Sequence, residues 1–587
     1  MGVPKLFNSL INQYHHNSAT NPTGYYVIKQ KIENDYPTHL YLDFNGAIYQ
    51  CIKPEIKTED ALIAHVVDYL ESICEMIPNL EFVYIAMDGI PPMGKVAQQR
   101  IRRFHSICKN NRIRKINQRF GTELDHTSIN EHIDTNMITP GTAFMNNLSI
   151  AIRRKCMTFD KWRVVFSDSS IPGEGEHKIV KYIRDQEQES GNVGNAVNTV
   201  IYALDGDLIF LSLGLHLENT YLFREANEYG NLSALTSQTG KRFLYMDINE
   251  LENAIITHSQ DTYGCSNMTS PDMRRRYIDD YIFLGMLLGN DFMPKCHWFS
   301  IAEGGFERLL SAYWQIHNHT ETYLTDCRND SRTPLLYTEM LGDILFIVKN
   351  QETEAINSLF ARRKKARIPI KSDMTERERQ QTMMDFLPLQ YLNIEREIEP
   401  HMEGWRARYY RTCFNMVPST ENIQMICRSY LKTLMWNFHY YFNPDGCISW
   451  DWVYDFPYCP TWSDIYDELI THKNININVS GSDKLFKFTL GKPLDAQTLL
   501  FMVLPWNSRK YMAVEIARKL VDESCPMRIY FPKRYGLNVA FQRYYHECTP
   551  ILFKMDRQYV EKWLKDCKYS EDELKRNQIG NVFTNRT

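Results

Sequence analysis

Short apolar runs alternate with longer amphipathic stretches through the first half of the chain, and acidic residues recur at the ends of the apolar runs. His39-Leu-Tyr-Leu-Asp43 reads as a buried strand ending in an acid, with Phe44-Asn45-Gly46 as the turn after it. An amphipathic helix is predicted from Glu59 to Ile77. Glu81–Met87 is the next strand and again delivers an acid, Asp88, before Gly89. Trp162–Phe166 runs toward Pro172-Gly173-Glu174-Gly175-Glu176-His177-Lys178, and Thr199–Leu204 leads to Asp205 and Asp207. Strands alternating with helices predict an α/β fold with a largely parallel sheet. In such sheets the ligand crevice lies beyond the carboxyl ends of the strands, which is where these acids fall.

Thr139-Pro140-Gly141 supplies an N-cap and a proline at the first helical position, predicting a helix to about Cys156. Arg276–Leu288 reads as a helix, with Asp279 and Asp280 on its solvated side and Gly289-Asn290-Asp291-Phe292-Met293-Pro294 as its stop. From 315 to 385 the strand-helix rhythm is lost and the residues turn polar, with a basic run at Arg362–Arg367. The segment 428–466 holds 13 aromatics in 39 residues, including Trp450-Asp451-Trp452. Core packing accounts for most of these, and one or two could form a wall for stacked bases. The expected organisation is an acid-bearing domain over 1–314, a polar connector or insertion over 315–385, and a second, mostly helical, aromatic-rich block over 386–587 that completes the site.

A chain of 587 residues exceeds what one core usually organises, and 43% apolar and 13% aromatic residues exclude a disordered or fibrous protein. No run approaches the roughly 20 apolar residues of a membrane helix, so a soluble intracellular protein is expected. The fourteen cysteines form no Cys-x-x-Cys pair and read as reduced and mostly buried. A net charge of −4 gives no global attraction to nucleic acid, so binding must come from local clustering.

That clustering lies between Lys95 and Arg119, with nine Lys or Arg and no Asp or Glu. Lys95, Gln99, Arg102 and Arg103 stand at i, i+4, i+7 and i+8, one face of a helix that starts shortly after Asp88. A solvated basic face is the plain reading, but a cationic face beside an acidic pocket suits a phosphate ester held at a metal centre. Glu174 and Glu176 lie two positions apart between glycines. On an extended backbone they project to the same side, where a cation could bridge them.

Eight motifs occur in order: Met1-Gly-Val-Pro-x-x-Phe7, Asp43-Phe-Asn-Gly46, Asp88-Gly89, Lys95-x-x-x-Gln-Arg-x-Arg-Arg-Phe104, Ile138-Thr-Pro-Gly-Thr142, Pro172–Lys178, Asp205-Gly-Asp207 and Gly289-Asn-Asp-Phe292. Together they closely resemble the 5′→3′ exoribonucleases of the XRN family, and Trp405-x-x-Arg408-Tyr-Tyr and Ser449-Trp-x-Trp452 extend the likeness into the second block. The resemblance implies a PIN or flap-nuclease-like sheet and processive hydrolysis of 5′-monophosphorylated single-stranded RNA to mononucleotides. It implies a metal site of Asp43, Asp88, Glu174, Glu176, Asp205, Asp207 and Asp291 holding two Mg2+ or Mn2+ ions. It also implies a 5′-phosphate site of Lys95, Gln99, Arg102 and Arg103. Seven crowded carboxylates would repel, and hard divalent cations with oxygen ligands are the usual remedy.

Tyr49 stands where the family has a histidine that stacks on the first base; it keeps a flat face and loses the charge switch. Trp450 and Trp452 are the other stacking candidates. The zinc knuckle of the family's nuclear branch has no counterpart in the cysteine spacing, and a compact form without the long C-terminal extension of the cytoplasmic branch is expected. A monomer acting in cytoplasmic RNA decay downstream of a decapping enzyme is expected, with nuclear or virion-packaged settings left open. Two other functions remain in view: a structure-specific 5′ flap nuclease acting on DNA, and a catalytically inactive RNA-binding scaffold.

Overall fold

The strand-helix alternation builds one eight-stranded sheet in the computed structural model, which describes residues 10, 27–120, 133–190, 197–202, 206–225, 242–264, 268, 270–327, 333–471 and 486–586. Its strands are β1 (Ile28–Lys29), β2 (Thr38–Asp43), β3 (Leu80–Ala86), β4 (Arg163–Ser167), β5 (Asn198–Tyr202), β6 (Thr220–Glu225), β7 (Phe243–Asp247) and β8 (Phe583–Thr584). They lie in the order β1-β7-β6-β5-β2-β3-β4-β8. The five central strands, β6 to β4, are parallel, and β1, β7 and β8 join antiparallel at the edges. The N-terminal Met1–Phe7 motif, Asp205 and the end of the strand expected to run to Leu204 lie outside the described residues.

Alternate strand residues enter two cores, as the pleat requires. Leu40, Leu42, Val83, Ile85, Val164 and Phe166 face helices Glu59–Met76 and Ala143–Cys156, whereas Tyr41, Phe82, Tyr84 and Val165 face the helix Gly175–Ser190 and a continuous core shared with the second half of the chain. Burial on both faces explains why the strands read as unbroken apolar runs. In chain order the helices used below are α1 (Phe44–Gln50), α2 (Glu59–Met76), α3 (Met93–Arg119), α4 (Ala143–Cys156), α5 (Gly175–Ser190), α6 (Asp207–Leu213), α7 (Pro271–Met286), α8 (Thr338–Lys365), α9 (Thr420–Phe442) and α10 (Trp462–Ile470).

Several local expectations are corrected. Phe44-Asn45-Gly46 is the first turn of α1, because Phe44, Ala47 and Ile48 share a buried face. Thr139 does not cap α4: Gly141 turns the chain at φ +92°, and the Thr142 hydroxyl accepts from the Met145 N–H instead. The helix α7 starts at Pro271, earlier than Arg276, on a Ser270 N-cap with proline at its first position. Asp279 and Asp280 are buried rather than solvated. Asp279 accepts from His216 Nε2 at 2.7 Å, and Asp280 accepts from Tyr313, Leu324 and both donors of Thr325.

Residues 315–385, expected as a polar connector or insertion, are helical along much of their length. Their longest element is α8, whose Leu341, Ile344, Leu345, Val348, Ile356 and Leu359 are buried and which packs against α10. Most of its polar residues sit on the outer face, so composition alone hid the buried stripe. The chain then returns to the sheet: β8 pairs with β4, and the Asn585 side chain accepts from the Val164 N–H. The thirteen cysteines among the described residues are free and mostly buried, as expected. No helix among the described residues is long and apolar enough to cross a membrane.

Candidate active site

β3 and β4 extend the sheet on one side of β2, and β5 and β6 extend it on the other. The strand order therefore reverses between β2 and β5, and the crevice beyond the carboxyl ends of these strands is the expected ligand position. β2 ends on Asp43 there, β3 leads to Asp88, and α6 opens with Asp207 after β5. β4 leads into the turn that carries Glu174 and Glu176.

Two glycines let that turn approach the acids. Gly173 sits at φ +112°, which other residues rarely adopt. A Cβ on Gly175 would lie 2.7 Å from Asp43 Oδ1 and 3.4 Å from Asp88 Oδ1, and the Gly175 N–H donates to Asp88 Oδ1 at 2.8 Å. Asn45 holds the other Asp88 oxygen with its amide at 2.9 Å. The buried Lys178 ammonium donates to the carbonyls of Met87 and Asp168, tying the ends of β3 and β4 together. Glu174 and Glu176 meet at a turn-to-helix junction rather than on the extended segment expected, since Glu176 lies in the first turn of α5. Ligand atoms of Glu174, Glu176 and His177 nonetheless all lie within 4.8 Å of one another.

Burial raises the pKa of Glu176 well above the usual carboxylate range, and Asp207, Glu174 and Asp43 add to it against the pull of Lys95. Glu174 is raised by burial for the same reason, opposed by Lys95 and aided by Asp88. Burial would strip the proton from Lys95, but Glu174, Asp291 and Glu176 outweigh it and hold the ammonium well above the usual lysine value. Its Nζ lies 2.6 Å from Glu174 and 2.9 Å from Asp291. Burial pushes Asp291 up as well, and Lys95 and Arg102 prevail to bring it to about 2. Six of the seven predicted acids thus converge; the seventh, Asp205, is outside the described residues.

Crowded like charges with one ammonium among them fit a hard divalent cation, whose oxygen ligands would be these carboxylates. His177 was missed as a neighbour of the cluster, although it sits inside the Pro172–Lys178 motif. Burial lowers its pKa well below the usual histidine value, reinforced by Lys95 and Arg184, so the imidazole is neutral. Tyr440 was missed too. It arrives on α9, and nothing in local spacing singles it out among the aromatics around it.

The basic face rises from this crevice on α3. Lys95 belongs to the acid cluster, while Arg102 is exposed and close enough to lower Asp291. Arg103 is half-buried, donates to the Thr139 hydroxyl at 2.7 Å and feels the Tyr49 phenol. The Ile138–Thr142 motif therefore holds Arg103 in place. Gln99 stands between them with its side-chain oxygen buried and without a hydrogen bond. Tyr49, on α1, is 40% exposed and free to offer a ring face. Trp450 is half-buried, and its carbonyl accepts from the Met93 N–H at the start of α3. Trp452 donates to the Thr433 hydroxyl, with the Lys432 ammonium 4.8 Å from its ring, so that face is already covered.

Residues 1–226 match the family described as XRN 5′-3′ exonuclease N-terminus, and residues 272–393 and 390–583 match the Xrn1 helical domain. The chain belongs to the XRN 5′-3′ exonuclease family. Among its relatives, the 5′-3′ exoribonuclease 2 homolog of Drosophila melanogaster is 26% identical, with 97% of this chain and 69% of that protein aligned. The 5′-3′ exoribonuclease 2 of Arabidopsis thaliana is also 26% identical, over 98% of this chain and 68% of that protein. The 5′-3′ exoribonuclease 1 of Homo sapiens aligns at 26% over 98% of this chain and 35% of its own length. The helical-domain match begins within α7 and runs through the 315–385 segment, in keeping with that segment's place in the shared core.

Proposed function

We propose that this XRN-family chain is a 5′→3′ exoribonuclease that removes mononucleotides processively from 5′-monophosphorylated single-stranded RNA, using two Mg2+ or Mn2+ ions. The observation that carries the reading is Lys95, whose ammonium links the carboxylates of Glu174 and Asp291 at the foot of the basic face. A terminal phosphate drawn to Arg102, Arg103 and Gln99 is thereby delivered to the acid crevice. A dianionic end gains more from several charge-assisted donors than an internal monoanionic phosphate does.

Asp43, Asp88, Glu174, Glu176, Asp205, Asp207 and Asp291 would hold the ions. When bound, the metals activate water and steady the leaving oxygen of an in-line displacement. The chain's own part is positional. Asn45 and the Gly175 N–H orient Asp88, Lys178 fixes the strand ends, and the exposed Tyr49 ring supplies a stacking platform beside Arg103. We place its action in cytoplasmic RNA decay as a monomer, downstream of decapping.

The test is hydrolysis of matched 5′-phosphate and 5′-hydroxyl RNAs in Mg2+, by the parent and by Arg102→Ala. The parent is expected to prefer the phosphorylated end, and the variant to narrow that preference. Equal rates of the parent on both substrates would remove the end-recognition reading.

A further inference from the structure

A side chain from the second half of the chain reaches the carboxylates. Tyr440, near the C-terminal end of α9, is buried and donates its hydroxyl to Glu174 Oε1 at 2.8 Å. Its ring is held on both faces: Trp436 stacks at 4.8 Å and 22°, and His177 lies 3.6 Å away at 31°. Trp436 is itself anchored by donating to the Ser449 carbonyl, and Phe292, next to Asp291, meets both rings edge-on at 4.9 and 5.5 Å. This aromatic column spans the Glu174 turn and the Asp291 loop, and ends in a single donor aimed at a carboxylate oxygen.

We propose that Tyr440 is a positioning residue for the metal centre: its hydroxyl on Oε1, opposite Lys95 on Oε2, fixes the rotamer of Glu174 so that the lone pairs left on the carboxylate face a divalent cation. The inference rests on the reading of Glu174 as a metal ligand. Groups that hydrogen-bond a ligating carboxylate orient it and typically change metal affinity by about 10- to 100-fold. A neutral phenol suits this place better than a second cation would, because it orients Glu174 without competing for its charge. Lys95 already supplies one ammonium to the same residue at 2.6 Å. The arrangement makes the helical region a part of the metal site rather than only a wall of the RNA path.

The experiment measures Mn2+ binding to the full-length chain by calorimetry, without RNA, for the parent, Glu174→Gln, Tyr440→Phe and the double variant. Tyr440→Phe keeps the ring stack and deletes the donor. It is expected to weaken Mn2+ binding about tenfold, with the metal-free melting midpoint unchanged. Glu174→Gln is expected to weaken binding further, and adding Tyr440→Phe to it is expected to change nothing more. All four proteins are compared below their midpoints, so a loss of packing registers in both backgrounds and the coupling in one only.

Parent-like Mn2+ affinity in Tyr440→Phe, with a loss in Glu174→Gln, overturns the role of Tyr440 and leaves the metal reading standing. Parent-like affinity in Glu174→Gln overturns the metal reading and this inference with it. An equal loss from Tyr440→Phe in both backgrounds also overturns the inference, since it marks a general loosening of the fold.

Discussion

At the carboxyl edge of the sheet, Glu174, Glu176 and Asp207 are buried against one another with Lys95 as a counter-ion. Glu352 and Asp280, in the helical region, are instead each buried among neutral donors. Glu352 accepts from the Trp298 indole, the N–H groups of Trp462 and Ser463, and the Ser463 hydroxyl. It therefore caps the N-terminus of α10 from a distant helix, where the helix dipole favours an anion. Burial pushes its pKa up, and those donors act against the push. The contrast separates two uses of a buried acid. One that is fully hydrogen-bonded holds the fold together, whereas one surrounded by other acids is held at a cost in stability that only a function explains.

The largest effect that can break this comparison comes from Glu176→Gln. Turnover is expected to fall by about a thousandfold or more, because the substitution keeps the shape and removes a charge proposed to ligate metal. The metal-free melting midpoint is expected to stay level or rise, since like-charge crowding is relieved. A midpoint that dropped as for a core substitution would place Glu176 with the structural acids. Glu352→Gln is the reciprocal case. An amide cannot accept on both sides, so its NH2 would face two donors and cost about 3 kcal/mol of stability, read by urea unfolding. The folded fraction is expected to keep the parent turnover. Lost turnover at full folding would erase the distinction.

The acid edge was legible in the sequence because each residue there is announced locally. Asp43 and Asp88 follow strands of strong apolar character, and Glu174 and Glu176 lie between glycines whose freedom the turn requires. The bounds of β2, β3 and β4 came within a residue or two for the same reason: runs buried on both faces leave no competing period. The helical region was read less well. Asp279 and Asp280 look like solvated helix residues until the partners His216, Tyr313, Leu324 and Thr325 are brought to them from far along the chain. Tyr440 is one of several tyrosines in its stretch, and only the path of α9 past the Glu174 turn sets it apart. Residues 315–385 misled through composition, since α8 turns most of its charges outward around a buried stripe that also holds Glu352 and Arg363.

The smallest effect concerns Glu547, which mixes the two settings. It pairs with the Lys295 ammonium at 3.0 Å and also accepts from the N–H groups of Arg543 and Tyr544. Burial pushes its pKa up, but Lys295 and those backbone donors outweigh it and bring it to about 2, below the ordinary 4.5. A folded-state pKa below the unfolded value means that folding favours the ionised form. The contribution is therefore complete above about pH 4.5 and is lost as the pH falls toward 2. Lys295 lies just beyond Asp291, so the pair also ties the Asp291 loop to the segment around Tyr544. Glu547→Gln is expected to lower the urea midpoint modestly at neutral pH, because the pair is partly screened by solvent. The gap between parent and variant is expected to close progressively from about pH 4.5 to about pH 2, as the parent's own carboxylate is protonated. A gap of constant size across that range would mean that Glu547 acts through its hydrogen bonds alone. It would then belong with Glu352 and Asp280 rather than between the two groups.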